Sequence, residues 1–100
     1  MTGTARTSAG LDERRRRLLY RAWHRGTREM DLIMGRFADT AIGSLSETDL
    51  KALENLDDVP DPDLYAWITG RTVPPADYDT PLMSRLRAFF GQSDAGGVDG

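Results

Sequence analysis

The sequence predicts an all-α protein, a small single-domain bundle of five helices with disordered termini. Three observations predict it. Apolar residues recur at three- and four-residue spacing in five segments, helix start and stop residues bracket those segments, and no stretch alternates with the two-residue period of a strand. A chain of 100 residues can bury one small core. The expected division is an N-terminal tail over 1–11, a helical domain over 12–91 and a glycine- and aspartate-rich C-terminal tail over 92–100.

The first helix is expected from about Asp12, a plausible N-cap, to His24. Leu18, Leu19, Ala22 and Trp23 form its apolar stripe, and Gly26 supplies the stop, because a residue just past a helix often adopts a left-handed conformation. The second helix, about Thr27 to Ala41, has the cleanest pattern in the chain. Met30, Ile33, Met34, Phe37, Ala38 and Ala41 fall on one face, with Glu29, Asp31, Leu32, Gly35 and Arg36 on the other.

The third helix opens at "SLSETDL": Ser46 caps it, Asp49 is its third residue, and Leu45 can staple onto Leu50. Leu50, Leu53 and Leu56 face inward. In "DPDLYAWITG", Asp61 reads as an N-cap and Pro62 as a first-turn proline, with Leu64, Trp67 and Ile68 buried and Gly70 closing the helix. Two adjacent prolines keep "RTVPPADYD" out of a helix. Thr80 and Pro81 begin the last helix, where Leu82, Met83, Leu86, Phe89 and Phe90 repeat at helical spacing. Trp23, Phe37, Trp67, Phe89 and Phe90 are the large core candidates.

Composition narrows the function. With no cysteine there is no disulfide, thiolate nucleophile or cysteine metal site, and the single histidine, His24, has no co-ligand. No metal site is expected. There is no glycine-rich phosphate loop, no Ser–His–Asp set and no secretory or membrane-spanning segment. No catalytic residue is assigned, and the chain does not read as an enzyme. Residues 1–40 carry nine arginines against five acids, whereas residues 41–100 carry four basic residues against eleven acids. Such asymmetry suits an oriented protein contact at least as well as nucleic acid.

The run Arg14–Arg17 is the loudest feature. Arg14, Arg17 and Arg21 lie at i, i+3 and i+7, a possible ridge for phosphate or an acidic partner; a solvated helix start is the plainer reading. A small basic-helix nucleic-acid-binding module is the rival this run supports, and a pI near 5.0 speaks against it. Glu29 and Asp31 point about 200° apart on a helix, so they cannot serve one atom as an acid–base pair. Gly35, inside the second helix, either admits another surface or is simply tolerated. The corner at Arg25, Gly26 and Glu29 reads as a plain helix stop, or else as a projecting knob with Arg25 as a fork-shaped donor.

The stretch "RGTREMD" (Arg25–Asp31) matches the RGxxE signature, often extended as RGxxExD, and the chain resembles the SdhE/YgfY family of flavinylation factors. "RRRLLYRAWHRG" looks like that family's first helix and "DPDLYAW" like its second recurring motif. The resemblance implies a five-helix protein that assists covalent attachment of FAD to the flavoprotein subunit of succinate dehydrogenase and of related fumarate reductases. It implies a partner surface at Arg25, Gly26 and Glu29, extended by Asp31; Arg17 and Arg21 of the first helix complete the expected partner-binding set. On this expectation FAD is the client's cofactor and none is stably bound by the factor. The factor is a monomer when free, bound to neither nucleic acid nor membrane. It works in the cytoplasm of a bacterium or the mitochondrial matrix of a eukaryote.

Overall fold

The computed structural model describes residues 10–99, with side chains as far as Gln92. Helix α1 (Glu13–Ala22) leads into α2 (Arg28–Ala41), which ends in a 3-10 turn at Ile42–Ser44. Helix α3 (Glu47–Asn55) passes through a second 3-10 turn, Leu56–Asp58, into α4 (Asp61–Ile68). A third such turn, Ala76–Tyr78, precedes α5 (Pro81–Asp99). Among the described residues no strand forms. All five expected helices are present.

Local chemistry sets most of the boundaries. The Asp12 carboxylate accepts the Arg15 N–H at 2.8 Å, Thr27 Oγ1 accepts from Met30 at 3.3 Å, and Ser46 Oγ accepts from Asp49 at 3.1 Å. Asp61 departs from expectation. Pro60 occupies the cap position of α4 with no side-chain cap, and Asp61 is the first helical residue, its carboxylate turned to another partner. At the far end α5 continues to Asp99, past the stop expected near residue 91. The N-terminal tail expected over 1–11 falls mostly outside the described residues, but Leu11 is within them and is buried on the core.

The core collects the apolar stripe of every helix. Leu18, Leu19 and Ala22 of α1 meet Met30, Met34, Phe37, Ala38 and Ala41 of α2; Leu50 and Leu53 of α3, Leu64, Trp67 and Ile68 of α4 and Leu82, Met83 and Leu86 of α5 complete it. Ile33 packs at its edge, half-buried. Of the five large aromatic candidates, Phe37 and Trp67 are buried, whereas Trp23, Phe89 and Phe90 lie at the rim. Phe89 meets Phe37 edge-on at 5.6 Å, an arrangement aromatic quadrupoles favour.

The arginine run bolts α1 to this frame. Arg14 reaches both Glu47 and Glu54 of α3 at 2.8 Å. Arg15 donates to the carbonyls of Ile42 at 3.0 Å and Leu45 at 2.8 Å, and Arg16 to Leu11 O at 2.6 Å. The ridge of Arg14, Arg17 and Arg21 is thereby corrected: Arg14 faces α3, held there by two carboxylates. Each of these three arginines has an acidic partner within the chain, so the ridge on which the basic-helix nucleic-acid reading leans is already paired.

Candidate functional site

The corner between α1 and α2 is built by hydrogen bonds from three directions. Trp23 caps α1, and the His24 N–H donates to Arg21 O at 3.1 Å. Gly26 then takes φ +120°, a region that side chains strain to enter. A Cβ there would meet nothing within 4 Å, so the glycine is needed for its backbone angle and not for space. From the first turns of α2, Asp31 reaches back. Its Oδ1 accepts the N–H of Arg25 at 2.5 Å and that of Gly26 at 3.2 Å. Asp31 is therefore the clamp that holds the bend.

Arg25 does not project. Its side chain is only 7% exposed. Nε donates to Asp61 Oδ1 at 2.9 Å, Nη1 to Leu56 O at 2.8 Å and Nη2 to Val59 O at 2.6 Å, with Nη2 also 2.8 Å from Asp61 Oδ1. Thr27 Oγ1 adds a longer contact to Asp61 Oδ2 at 3.4 Å. The fork of donors is real, but it is aimed into the protein. It donates to two carbonyls where the chain leaves α3: Leu56 O, which also accepts the Val59 N–H at 3.1 Å, and Val59 O. The two stretches that carry the family resemblance, "RGTREMD" and "DPDLYAW", thus meet in one ion pair.

What faces outward is the remainder of the motif. Gly26, Thr27, Arg28 and Glu29 are all exposed. The Arg28 and Glu29 side chains have no hydrogen bond or ion pair among the described residues. Glu29 occupies the first turn of α2, where a carboxylate favours the helix start. Its carboxylate is nonetheless left available.

Beside the corner lies a cleft of about 490 Å³, lined by Arg21, His24, Asp57, Asp58, Pro60 and Asp61 among others. Arg21 bridges it to Asp57 at 2.8 Å, and that hydrogen bond raises the Arg21 pKa above its ordinary value. Arg17 does not line it and pairs instead with Glu13 at 3.2 Å. Of the expected partner-binding set, Arg21, Arg25, Gly26, Glu29 and Asp31 gather around one corner; Arg17 stays one turn or more away along α1. Among the described residues no group of three or more His, Cys, Asp and Glu side chains could hold a metal ion. No helix of the described residues is long and apolar enough to cross a membrane.

Two partners were missed from sequence. Asp61 is the half-buried counter-charge of Arg25, and Trp23 lies over Gly35, whose absent side chain is filled by the indole. An arginine before a helix-stop glycine and an aspartate at the entry of another helix were the available signal for the first.

Fold and site together define a small helical bundle carrying a pinned corner whose outer residues are free for contact. Comparison with known proteins supplies the rest. A family model described as flavinator of succinate dehydrogenase, Sdh5, matches residues 16–90. The FAD assembly factor SdhE of Acetobacter pasteurianus is 40% identical over 76 residues, covering 76% of this chain and 70% of that protein. Mitochondrial succinate dehydrogenase assembly factor 2 of Dictyostelium discoideum is 34% identical over 77 residues, 77% of this chain and 55% of that one. The SdhE of Legionella pneumophila is 39% identical over 64 residues, 64% of this chain and 81% of its own. The chain spans about half the length of the mitochondrial relatives it matches. It belongs to the Sdh5 family, the flavinators of succinate dehydrogenase.

Proposed function

We propose that this protein is an assembly factor that binds the flavoprotein subunit of succinate dehydrogenase and promotes covalent attachment of FAD to it. Family membership over residues 16–90 and relatives named FAD assembly factor and succinate dehydrogenase assembly factor support the reading. The observation that carries it to a surface is the contrast within one motif: Arg25 and Asp31 are turned inward as supports, while Gly26 to Glu29 are exposed.

On this reading the client lies against the bare backbone of Gly26, and Glu29 and Arg28 meet its polar groups. Arg25 and Asp31 keep their place in the partner site as positioning residues. They hold the bend rigid, so little conformational freedom is lost on docking. Bonding a client histidine nitrogen to the 8α carbon of the isoalloxazine releases the N–H and one C–H proton and leaves two electrons on the flavin ring. An external acceptor such as dioxygen then removes them; this is chemistry the flavin itself supports. The factor contributes position, holding the client and its FAD in a productive arrangement, and needs no catalytic residue or cofactor of its own. Arg21, at the edge of the same corner, is a further contact, and Arg17 an outlying one. Related fumarate reductase subunits present the same class of client. The free factor is a monomer, acting where the client is assembled: the cytoplasm of a bacterium, the matrix of a mitochondrion.

Co-purification tests this. A tagged flavoprotein subunit should retain the factor and gain covalent flavin in its presence. A subunit that acquires flavin equally well without it, and captures none of it, would overturn the proposal. Weak, steeply salt-dependent DNA binding in its place would favour the nucleic-acid alternative.

A further inference from the structure

Gly35 sits in the interior of α2, where glycine is less favourable than alanine. Its backbone does not need the residue, since its φ lies outside the left-handed region. Space needs it. A Cβ built at Gly35 would collide with Cδ2, Cε2 and Cε3 of Trp23. These are rigid ring atoms, so no small rotation relieves the clash. One helical turn further along α2, Asp39 Oδ1 accepts the Trp23 Nε1–H at 3.1 Å. The indole thus lies along α2 from Gly35 to Asp39, close-packed at one end and hydrogen-bonded at the other.

Trp23 is also the C-cap of α1 and stands two residues before Arg25. The latch therefore closes a loop of chain that contains the whole corner. Asp31 clamps that loop from within, and Arg25 ties it to the turn after α3. The Trp23–Gly35 contact fixes the remaining variable, the approach of α1 to α2. Trp23 and Asp39 are both half-buried.

We infer that Trp23 and Gly35 are positioning residues for the partner-docking corner: the glycine exists so that the indole can seat, and the seated indole sets the direction in which Gly26 to Glu29 are presented. The inference rests on the reading of that corner as the surface that meets the flavoprotein subunit. Gly26 and Gly35 thus serve for opposite reasons, one for a backbone angle and the other for room.

The experiment uses the full chain and two readouts. First, amide cross-peaks of Arg25, Gly26 and Thr27 are compared between wild type, Gly35→Ala, Trp23→Ala and the double variant. Second, the affinity of each for the purified flavoprotein subunit is measured well below its melting temperature. Gly35→Ala should shift the corner's cross-peaks, change Trp23 fluorescence and weaken binding by about tenfold or more through lost preorganisation. Trp23→Ala should likewise shift the corner's cross-peaks and weaken binding. Adding Gly35→Ala to Trp23→Ala should cost nothing further, because the room is no longer needed. Corner cross-peaks unmoved in Gly35→Ala, or unchanged affinity in a variant whose corner has moved, would overturn the inference. If the wild type binds no flavoprotein subunit, the functional reading fails by itself, while the first readout still decides whether Trp23 sets the corner.

Discussion

The Arg25 guanidinium and the Asp61 carboxylate meet at 2.8 Å with side chains only 7% and 17% exposed, joining the first interhelix corner to the start of α4 across 36 residues. Removing one partner of such a pair strands the other charge, at a cost of about 3–5 kcal/mol, whereas a lost N-cap costs about 0.5–2. Asp61→Ala should therefore destabilise by the larger amount, and Asp61→Asn by less. Urea unfolding distinguishes the two magnitudes; a loss no greater than a cap's would contradict the buried-pair account.

The arginine run should not behave uniformly. Arg15→Ala removes the donors to Ile42 O and Leu45 O and should cost about 1–3 kcal/mol for the carbonyls left unpaired. Among the described residues Arg17 pairs only with exposed Glu13, so Arg17→Ala should change stability by less than about 0.5 kcal/mol. Thermal melts of the two variants side by side check this.

Acid should loosen the contact between α1 and α3. The hydrogen bond from Arg14 holds Glu54 below its ordinary pKa of 4.5, and the Arg15 N–H, through its bond to Asp12, lowers that carboxyl from 3.8. Both values are depressed in the folded state. Their stabilisation is accordingly complete above the unfolded values and lost as pH falls through the folded ones. The melting temperature should drop below about pH 4.5, and Glu54→Gln should flatten that limb.

Gly26→Ala isolates the backbone requirement. Nothing crowds the position, so any penalty comes from φ +120°, and we expect about 1–3 kcal/mol of strain with helical content retained. A neutral substitution would mean that the bend readily relaxes.

The parts of this structure that could be read from sequence are those whose causes are local. The Ser46–Asp49 cap and the Met30–Ala41 stripe are settled within a turn or two, and both stand as expected. Arg25 was legible as important but not as inward, because its partners lie 31 to 36 residues away. Asp61 was placed one position early; Pro60 takes the cap, and tertiary pairing claims the carboxylate. Gly35 was open between tolerance and close approach, and the approaching surface is the chain's own Trp23. Residues 92–99 read as tail from a composition rich in glycine and aspartate, and the backbone of α5 runs on to Asp99.

Glu29 gives the most direct test of the docking corner, because it is exposed, has no internal partner among the described residues, and can be changed without disturbing the supports beneath it. The measurement is the binding of wild type and Glu29→Arg to purified flavoprotein subunit, with covalent flavin read by in-gel fluorescence. A surface contact through this carboxylate predicts a melting temperature unchanged within a degree or so, binding weakened at least about tenfold, and less covalent flavin on the client. Equal binding and equal flavinylation by Glu29→Arg would contradict it.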